Sequence, residues 1–329
     1  MTEPLLSIEG LSVTFPTENG PVRAVDGIDF AVGPGRTLAL VGESGCGKSV
    51  TSLAIMGLTP PSAAVGGRVV FRGQDIARLR GPARRAVRGR DISMIFQEPM
   101  TALNPVYRIG DQIAEGLVQR GVPRREARER ALDMLKLVKI PVAETRIDAY
   151  PHQLSGGMRQ RVMIAMALVS EPALLIADEP TTALDVTIQA QIMELITSLQ
   201  ERLGMAVLLI THDLGVVAET ADDVVIMYAG KVVEQGPVQA IFDNPQHPYT
   251  LGLMASVPRL DEARNRLATI VGSVPNPMAL PFGCRFAPRC RLADERCDAE
   301  IPPLNHMAPG HTAACWRAPI EDAAQEAAE

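Results

Sequence analysis

The chain has 329 residues, enough for one large domain with a well-packed core or for a large and a small domain together. Its net charge of -6 argues against a general nucleic-acid binder, and its 4% aromatic content argues against a stacking platform for bases. The sequence has no apolar run near the roughly 20 residues that span a bilayer and no signal peptide at its start. We therefore expect a cytosolic protein, or one that partners hold at the cytosolic face of a membrane.

The first hundred residues predict several strands and one helix. Residues 1 to about 35 alternate apolar and polar side chains between turn residues, which predicts antiparallel strands. Residues 37–41 form a short apolar run that predicts a buried strand, and a helix is expected to begin near Lys48. Two further strands are predicted at residues 69–71 and 92–96.

The middle of the chain alternates helical and strand patterns. Helical periodicity covers residues 109–139 and returns at 157–170. Residues 186–203 form an amphipathic pattern, and Asp185 stands at the N-cap position of that helix. Strands are expected at residues 174–177, 207–210 and 224–227. Strands that alternate with helices indicate an α/β fold with a parallel sheet.

Residues 42–49, here named the phosphate loop, match the pattern G-x-x-x-x-G-K-S between a predicted strand and a predicted helix. Successive backbone N–H groups in such a loop point at phosphate oxygens, while Lys48 places a cation on the outer phosphates. Ser49 offers a hydroxyl to Mg²⁺. The candidate ATP ligands are all eight loop residues: Gly42, Glu43, Ser44, Gly45, Cys46, Gly47, Lys48 and Ser49.

Two acidic residues follow the strand predicted at 174–177. Asp178 suits a place in the Mg²⁺ coordination shell, and Glu179 suits a base that polarises an attacking water. Alone, two acids at the start of a loop would be an equally good interpretation. Together with the phosphate loop they indicate hydrolysis of Mg-ATP.

Residues 154–160, here named the signature segment, place Ser-Gly-Gly at the start of a predicted helix. Free N–H groups, a hydroxyl and the positive end of the helix dipole make such a start a binding site for anions. By itself the pattern would indicate only a serine-capped helix.

Taken together, these motifs resemble an ATP-binding cassette (ABC) ATPase. The resemblance covers nearly all of residues 5–255 and rests on motifs in a fixed order: the phosphate loop, Gln97, the signature segment, Asp178-Glu179, Ala183-Leu184-Asp185 and His212. It implies an α/β ABC nucleotide-binding domain with a RecA-like parallel sheet core, an antiparallel β subdomain and an α-helical subdomain. The expected boundaries are 1–244 for this domain and about 98–165 for its helical part. The composition shifts after about residue 236, and the end of the chain is acidic and alanine-rich, which predicts a C-terminal extension at 245–318 and a disordered acidic tail at 319–329.

The resemblance also implies roles for single residues. Two cassettes of this family dimerise head to tail, and each ATP lies between the phosphate loop of one and the signature segment of the other. Glu179 would be the base, Gln97 would sense Mg²⁺ and the attacking water, and His212 would contact the γ-phosphate. The implied Mg²⁺ ligands are Ser49, Gln97 and Asp178. Further implied ATP contacts are Phe15, Ser155, Gly156, Gly157, Gln160 and Asp185.

Two stretches, residues 97–105 and 244–250, resemble the versions found in dipeptide/oligopeptide (peptide/nickel) importers. The implied function is that of the ATP-hydrolysing subunit of a membrane importer, with peptides as solute and nickel or glutathione-like solutes as alternatives. The implied partners are a second, related cassette, two permease subunits and an extracytoplasmic solute-binding protein, without nucleic acid. The implied location is the cytoplasmic face of the bacterial inner membrane.

Two other functional classes are alternatives to the importer. A soluble ABC ATPase acting on DNA or ribosomes would resemble versions with a long coiled-coil insertion or with two cassettes in one chain, and this sequence shows neither. A metal-cluster regulatory module with an incidental ATPase is kept open by the cysteines near the C-terminus. The complete hydrolytic set argues against it.

Four cysteines cluster near the C-terminus, at Cys284, Cys290, Cys297 and Cys315, whereas Cys46 lies alone in the phosphate loop. Their spacing matches neither common zinc ribbons nor compact ferredoxin runs. Four thiolates suit a [4Fe-4S] cluster and also Zn²⁺. The family resemblance implies [4Fe-4S], while Zn²⁺ and a metal-free cluster stay open.

Overall fold

The computed structural model describes residues 3–96, 102–181, 185–256 and 270–320. The strands in these ranges are β1 (Leu6–Thr17), β2 (Gly20–Val32), β3 (Thr37–Val41), β4 (Ala64–Phe71), β5 (Gln74–Asp75), β6 (Ile92–Ile95), β7 (Leu174–Asp178), β8 (Ala206–Thr211), β9 (Asp223–Tyr228), β10 (Lys231–Pro237), β11 (Asn305–Ala308) and β12 (His311–Ala313). The α-helices are α1 (Lys48–Met56), α2 (Gly81–Val87), α3 (Ile109–Val118), α4 (Arg124–Leu137), α5 (Ala143–Arg146), α6 (Gly156–Leu168), α7 (Val186–Leu203), α8 (Leu214–Thr220), α9 (Val238–Asp243), α10 (Pro248–Ala255) and α11 (Glu295–Ala299).

The chain divides into two compact units that each combine separate stretches of sequence. The first unit comprises Met1–Leu5, Gly33–Arg36 and Arg78–Ile210, and the second unit comprises Leu6–Val32, Thr37–Ala77 and Thr211–Glu329. None of the helices in the described parts of either unit is long and apolar enough to cross a membrane.

The first unit contains a parallel sheet and most of the helices. Strand β7 pairs in parallel with β6 on one side and with β8 on the other. Every residue of β7 and β8 is buried, as expected for parallel strands covered on both faces. The helical pattern at 109–139 is two helices, α3 and α4, because Gly121 and Pro123 lie between them and Pro123 caps the second.

The second unit contains an antiparallel sheet of order β2-β1-β4-β5 and a second sheet in which β11-β12-β10-β9-β3 are neighbours. The short strands predicted over the first 35 residues are two long ones, because pairing of β1 with β2 continues through bulges. One shift in register lies between Ile8 and Leu11, where Gly10 N–H donates to Asp29 Oδ1 at 2.7 Å. Strand β3 is parallel to β9, and β10 is antiparallel to both β9 and β12.

A buried carboxylate holds the C-terminal extension to strand β10. Glu234 is fully buried, and its carboxylate accepts from the backbone N–H groups of Gln246 at 2.6 Å and His247 at 3.0 Å. The Thr250 hydroxyl also donates to it, and His311 Nε2 lies 2.8 Å from it. Because a buried carboxylate is stable only when its oxygens are hydrogen-bonded, Glu234 fixes both the start of α10 and strand β12.

His247 is the N-cap residue of α10 and is buried together with Glu234. Its Nδ1 accepts a hydrogen bond from Tyr249 N–H at 3.1 Å, which requires an unprotonated Nδ1. Burial lowers the pKa of His247 from 6.5 to about 3. The imidazole is therefore neutral in the folded protein, whereas it is protonated below pH 6.5 in the unfolded chain.

Acid should therefore destabilise the protein through His247. The unfolded state binds the extra proton between pH 6.5 and about 3, so this contribution to stability is complete above 6.5 and is lost as the pH falls. We expect His247→Asn, which keeps a capping acceptor, to reduce the fall in unfolding free energy by about 1 kcal/mol per pH unit between pH 6 and 4. Urea unfolding at several pH values measures this.

The matched control is His306→Asn, at an exposed histidine in the same extension. It should leave the pH dependence of the unfolding free energy as in the wild type. Equal pH slopes for His247→Asn and the wild type would contradict the assignment of a neutral buried imidazole.

Candidate nucleotide site

The phosphate loop follows the fully buried strand β3 and leads into α1 at Lys48, as its motif predicts. Two of its glycines lie where no side chain fits. A Cβ atom on Gly42 would lie 2.2 Å from the Met227 carbonyl oxygen. Gly47 has a φ of 104°, and a Cβ atom there would lie 2.5 Å from the Ala24 carbonyl oxygen. The close approach of neighbouring backbone therefore requires glycine at both positions.

Lys48 is buried, and the loop folds around its side chain. Its Nζ donates to the carbonyl oxygens of Gly42 at 2.6 Å and Glu43 at 3.1 Å. The Cys46 carbonyl accepts from Gly230 N–H at 3.0 Å, which ties the loop to the turn between β9 and β10. Cys46 itself is fully buried, and burial raises the pKa of its thiol. The Cys46 sulfur is therefore a protonated packing group.

Two residues of the C-terminal extension contact the phosphate loop at Glu43. The Glu43 N–H donates to the Tyr249 hydroxyl at 2.8 Å, and Arg289 donates to both carboxylate oxygens of Glu43 at 3.0 Å. Sequence reasoning missed both contacts, since they join residues 206 and 246 positions apart and neither belongs to a nucleotide-binding motif. The extension thus reaches the candidate ATP site directly.

Phe15 and His212 also lie in the second unit. Phe15 is a half-buried residue of β1 and stands opposite Val22 of β2. His212 is exposed and follows β8 directly. Its neighbour Asp213 caps α8 by accepting from Gly215 N–H at 2.9 Å, so His212 is held between a strand end and a helix start.

The two predicted acids lie in the first unit at the end of β7. Asp178 is buried as the last residue of that strand. Glu179 has a φ of 46°, in the left-handed region, and its N–H donates to the Ile210 carbonyl at 2.9 Å. Such a conformation is costly for a residue with a side chain, and it turns the chain away from the strand direction at the predicted base.

The signature segment has the predicted cap, and one of its side chains has an internal partner. Ser155 is the N-cap of α6, and its Oγ accepts from Met158 N–H at 3.4 Å. Gln160 is almost fully buried and donates to the Pro180 carbonyl, so it joins α6 to the loop after the acids. Its role as an ATP contact, like those of Gly156 and Gly157, stays a prediction.

The N-cap predicted at Asp185 is confirmed, since its carboxylate accepts from Ile188 N–H at 3.0 Å at the start of α7. Other predictions fall outside the described residues. These are Gln97 with residues 98–101, Ala183-Leu184, and the part of the acidic tail at 321–329.

The four cysteines of the extension are free thiols that line one cavity of about 10 Å³. Burial raises the pKa of all four, to about 11 for Cys315. Within the described residues, no group of three or more His, Cys, Asp or Glu side chains is arranged to hold a metal ion. The structure therefore brings the four cysteines to one cavity, but it does not by itself support the predicted [4Fe-4S] or Zn²⁺ site.

Comparison with known proteins identifies the family. The family described as "ABC transporter" matches residues 25–182, and "Oligopeptide/dipeptide transporter, C-terminal region" matches residues 233–297. A "Putative peptide import ATP-binding protein" of Brucella abortus strain 2308 is 54% identical, over 96% of this chain and 97% of its own length. The chain belongs to the ABC transporter family. A second such protein of the same strain is 51% identical over 98% of this chain and 97% of its own length.

Solved structures confirm the fold of this ABC subunit. The ATP-binding cassette MJ0796, in a dimeric post-hydrolysis state bound to ADP and Pi, aligns with a TM-score of 0.63 at 27% identity, over 71% of this chain and 98% of its own. The cbiO1 protein of Clostridium perfringens, part of the ABC transporter complex cbiONQ, aligns with a TM-score of 0.63 at 31% identity, over 74% and 92%. The predicted ABC nucleotide-binding domain is thus confirmed.

The Tyr249 hydroxyl should stabilise the phosphate loop. Tyr249→Phe removes the acceptor for Glu43 N–H, and we expect a loss of about 1 kcal/mol in unfolding free energy together with a several-fold weaker Kd for ATP. Urea unfolding and equilibrium dialysis with ATP measure the two effects. Tyr107→Phe, at an exposed tyrosine, is the control and should change neither quantity. Wild-type stability and affinity in Tyr249→Phe would refute a role for this contact.

Proposed function

We propose that this chain is the ATP-hydrolysing subunit that energises a bacterial membrane importer of di- or oligopeptides. The observation that carries the proposal is the joint match, in one chain, to the ABC transporter family and to the oligopeptide/dipeptide transporter C-terminal region. Relatives named for peptide import, 50–54% identical over nearly the whole chain, support it.

Within this function each motif has a proposed part in hydrolysis. The N–H groups of the phosphate loop and Lys48 bind the phosphates of ATP, with Phe15 stacked on adenine. Ser49, Asp178 and Gln97 would hold Mg²⁺ directly or through water. Glu179 polarises the attacking water and His212 contacts the γ-phosphate. The buried end of β7 supports these roles, because it fixes where the acidic pair leaves the sheet.

The proposed partners complete this subunit. A second cassette, related but different, supplies the signature residues Ser155, Gly156 and Gly157 opposite each phosphate loop, with Gln160 and Asp185 beside them. Two permease subunits and an extracytoplasmic solute-binding protein complete the importer, with this chain peripheral at the cytoplasmic face of the inner membrane. The dimeric MJ0796 cassette and the complex that contains cbiO1 support this arrangement by analogy.

Peptides are the proposed solute. Nickel and glutathione-like compounds are alternatives whose import the same type of subunit could energise. The complex assembled with its permeases and binding protein tests the choice. Peptide-stimulated ATP turnover and peptide uptake into vesicles would support the proposal. Stimulation by nickel or glutathione alone would redirect it to another solute, and co-purification with ribosomes or DNA in place of permeases would refute the importer.

Glu179 provides the direct test of hydrolysis. We expect Glu179→Gln to lower the turnover number for ATP by about 10²–10⁴-fold, because the amide cannot accept a proton from the attacking water. The Kd for ATP should stay within a few-fold of the wild-type value. Phosphate release and equilibrium dialysis measure the two quantities.

The control for this substitution is Glu194→Gln, at an exposed position of α7, which should turn over ATP at the wild-type rate. Unchanged phosphate release by Glu179→Gln would show that another residue is the base.

We further propose that Cys284, Cys290, Cys297 and Cys315 hold a [4Fe-4S] cluster, with Zn²⁺ as the alternative. Their shared cavity and the softness of four sulfur donors support this proposal. Such a group would stabilise the extension by cross-linking its separate segments. Four irons and four sulfides per chain, with visible absorption, would support it. The iron content and the absorption should both be lower in Cys290→Ser and should be unchanged in Cys46→Ser. One zinc per chain would favour the alternative, and metal-free protein purified without oxygen would exclude both.

A further inference from the structure

Arg289 of the extension forms an ion pair with Glu43 of the phosphate loop. Its guanidinium NH1 lies 3.0 Å from each oxygen of the Glu43 carboxylate. The Arg289 side chain is 5% exposed and that of Glu43 is 28% exposed. Because the pair is mostly shielded from solvent, its charges interact more strongly than those of a surface salt bridge.

The guanidinium is held in place by groups other than Glu43. Its Nε donates to the Val271 carbonyl at 3.0 Å, and its NH2 donates to the Ile270 carbonyl at 3.2 Å. It lies over the rings of Tyr228 and Phe286, 5.7 Å and 5.9 Å from their centroids. Arg289 is therefore a pre-positioned cation whose location does not depend on Glu43 alone.

The Glu43 residue is fixed at three points. Its N–H donates to the Tyr249 hydroxyl, its carbonyl accepts from Lys48 Nζ, and its carboxylate accepts from Arg289. Lys48 of the phosphate loop and Arg289 of the extension thus both donate hydrogen bonds to Glu43. A shift of the Glu43 carboxylate would be transmitted through the side chain and Cα of the same residue to the carbonyl that Lys48 contacts.

The charge of Glu43 is unfavourable for the function of the loop. A carboxylate beside a site for the triphosphate of ATP repels the bound anion, and partial burial reduces the screening of that repulsion. An adjacent guanidinium cancels the charge at short range. The ion pair with Arg289 therefore offsets the repulsion between the Glu43 carboxylate and the phosphates of ATP.

We propose that Arg289 is a positioning residue of the ATP site, which neutralises Glu43 and fixes the first turn of the phosphate loop. The proposal rests on the proposed binding of ATP by residues 42–49. It gives the extension a part in ATP binding, because Arg289 lies in the short helical turn Ala287–Arg289 immediately before Cys290. The extension and the ATP site are then energetically linked.

The test is a double-mutant cycle on the full chain, read as the Kd for ATP. Arg289→Ala leaves the Glu43 charge unbalanced, so we expect the Kd to rise about 10-fold at low salt and the difference to shrink in 0.5 M salt. Glu43→Gln removes the repelling charge while Arg289 stays in place, so it should lower the Kd for ATP. Arg289→Ala with Glu43→Gln should return to within about 3-fold of the wild-type Kd, since the repelling charge is gone.

Two further variants keep the test decisive. Arg289→Lys retains the charge and should lie between wild type and Arg289→Ala, which serves if the alanine variant fails to fold. Arg296→Ala is the control, because Arg296 belongs to the same extension, lies over Trp316 and pairs with Glu300, and it should leave the Kd unchanged.

The outcomes separate this inference from the proposed function. Wild-type protein that binds no ATP would remove the proposed function itself. Wild-type binding with an equal Kd for Arg289→Ala would overturn only the inference. A Kd for ATP that rises in Arg289→Ala, is not restored by adding Glu43→Gln and does not depend on salt would also overturn it. The effect of Arg289→Ala would then be structural and not electrostatic.

Discussion

The buried carboxylate of Glu234 is the interaction on which the arrangement around the phosphate loop depends. Its oxygens accept hydrogen bonds from the backbone N–H groups at the start of α10 and contact the imidazole of His311 in β12. Glu234 thereby attaches the extension to strand β10 at two places. A carboxylate that is buried away from solvent must have such hydrogen-bond donors, and the N–H groups at a helix start supply them. The start of α10 is thereby fixed relative to the sheet of the second unit.

The position of α10 then determines what contacts Glu43. Tyr249 in its first turn packs against Tyr228 and Phe286, with ring centroids 4.7 Å and 5.5 Å away, and its hydroxyl reaches the phosphate loop. The same aromatic rings support the guanidinium of Arg289. A chain of contacts therefore runs from a buried acid, through an aromatic cluster, to the residue that follows the first glycine of the loop.

The sequence predicted the helices and strands well where the pattern of apolar residues or the capping residue lies within the element itself. The buried strands β3, β7 and β8 are continuous apolar runs, and the caps of α6 and α7 are read from Ser155 and Asp185. Strands β11 and β12 were missed because they have only four and three residues, and β10 was missed because Glu234, Gln235, Gly236 and Pro237 interrupt its apolar pattern. Residues 231–237 form a strand chiefly because β9 and β12 flank them. The cysteines were identified as a cluster correctly, but their spacing does not show how four sulfur atoms are arranged.

The sequence by itself determined the ABC class of this protein, because the phosphate loop, the acidic pair and the signature segment are local motifs whose chemistry depends on adjacent backbone. Gly42 and Gly47 illustrate this, since the motif demands glycine and the structure shows the carbonyl oxygens that exclude anything larger. Only the tertiary structure decided that Tyr249 and Arg289 contact Glu43. Contacts across more than 200 residues arise from the packing of whole elements, and no spacing along the chain records which side chains that packing brings together.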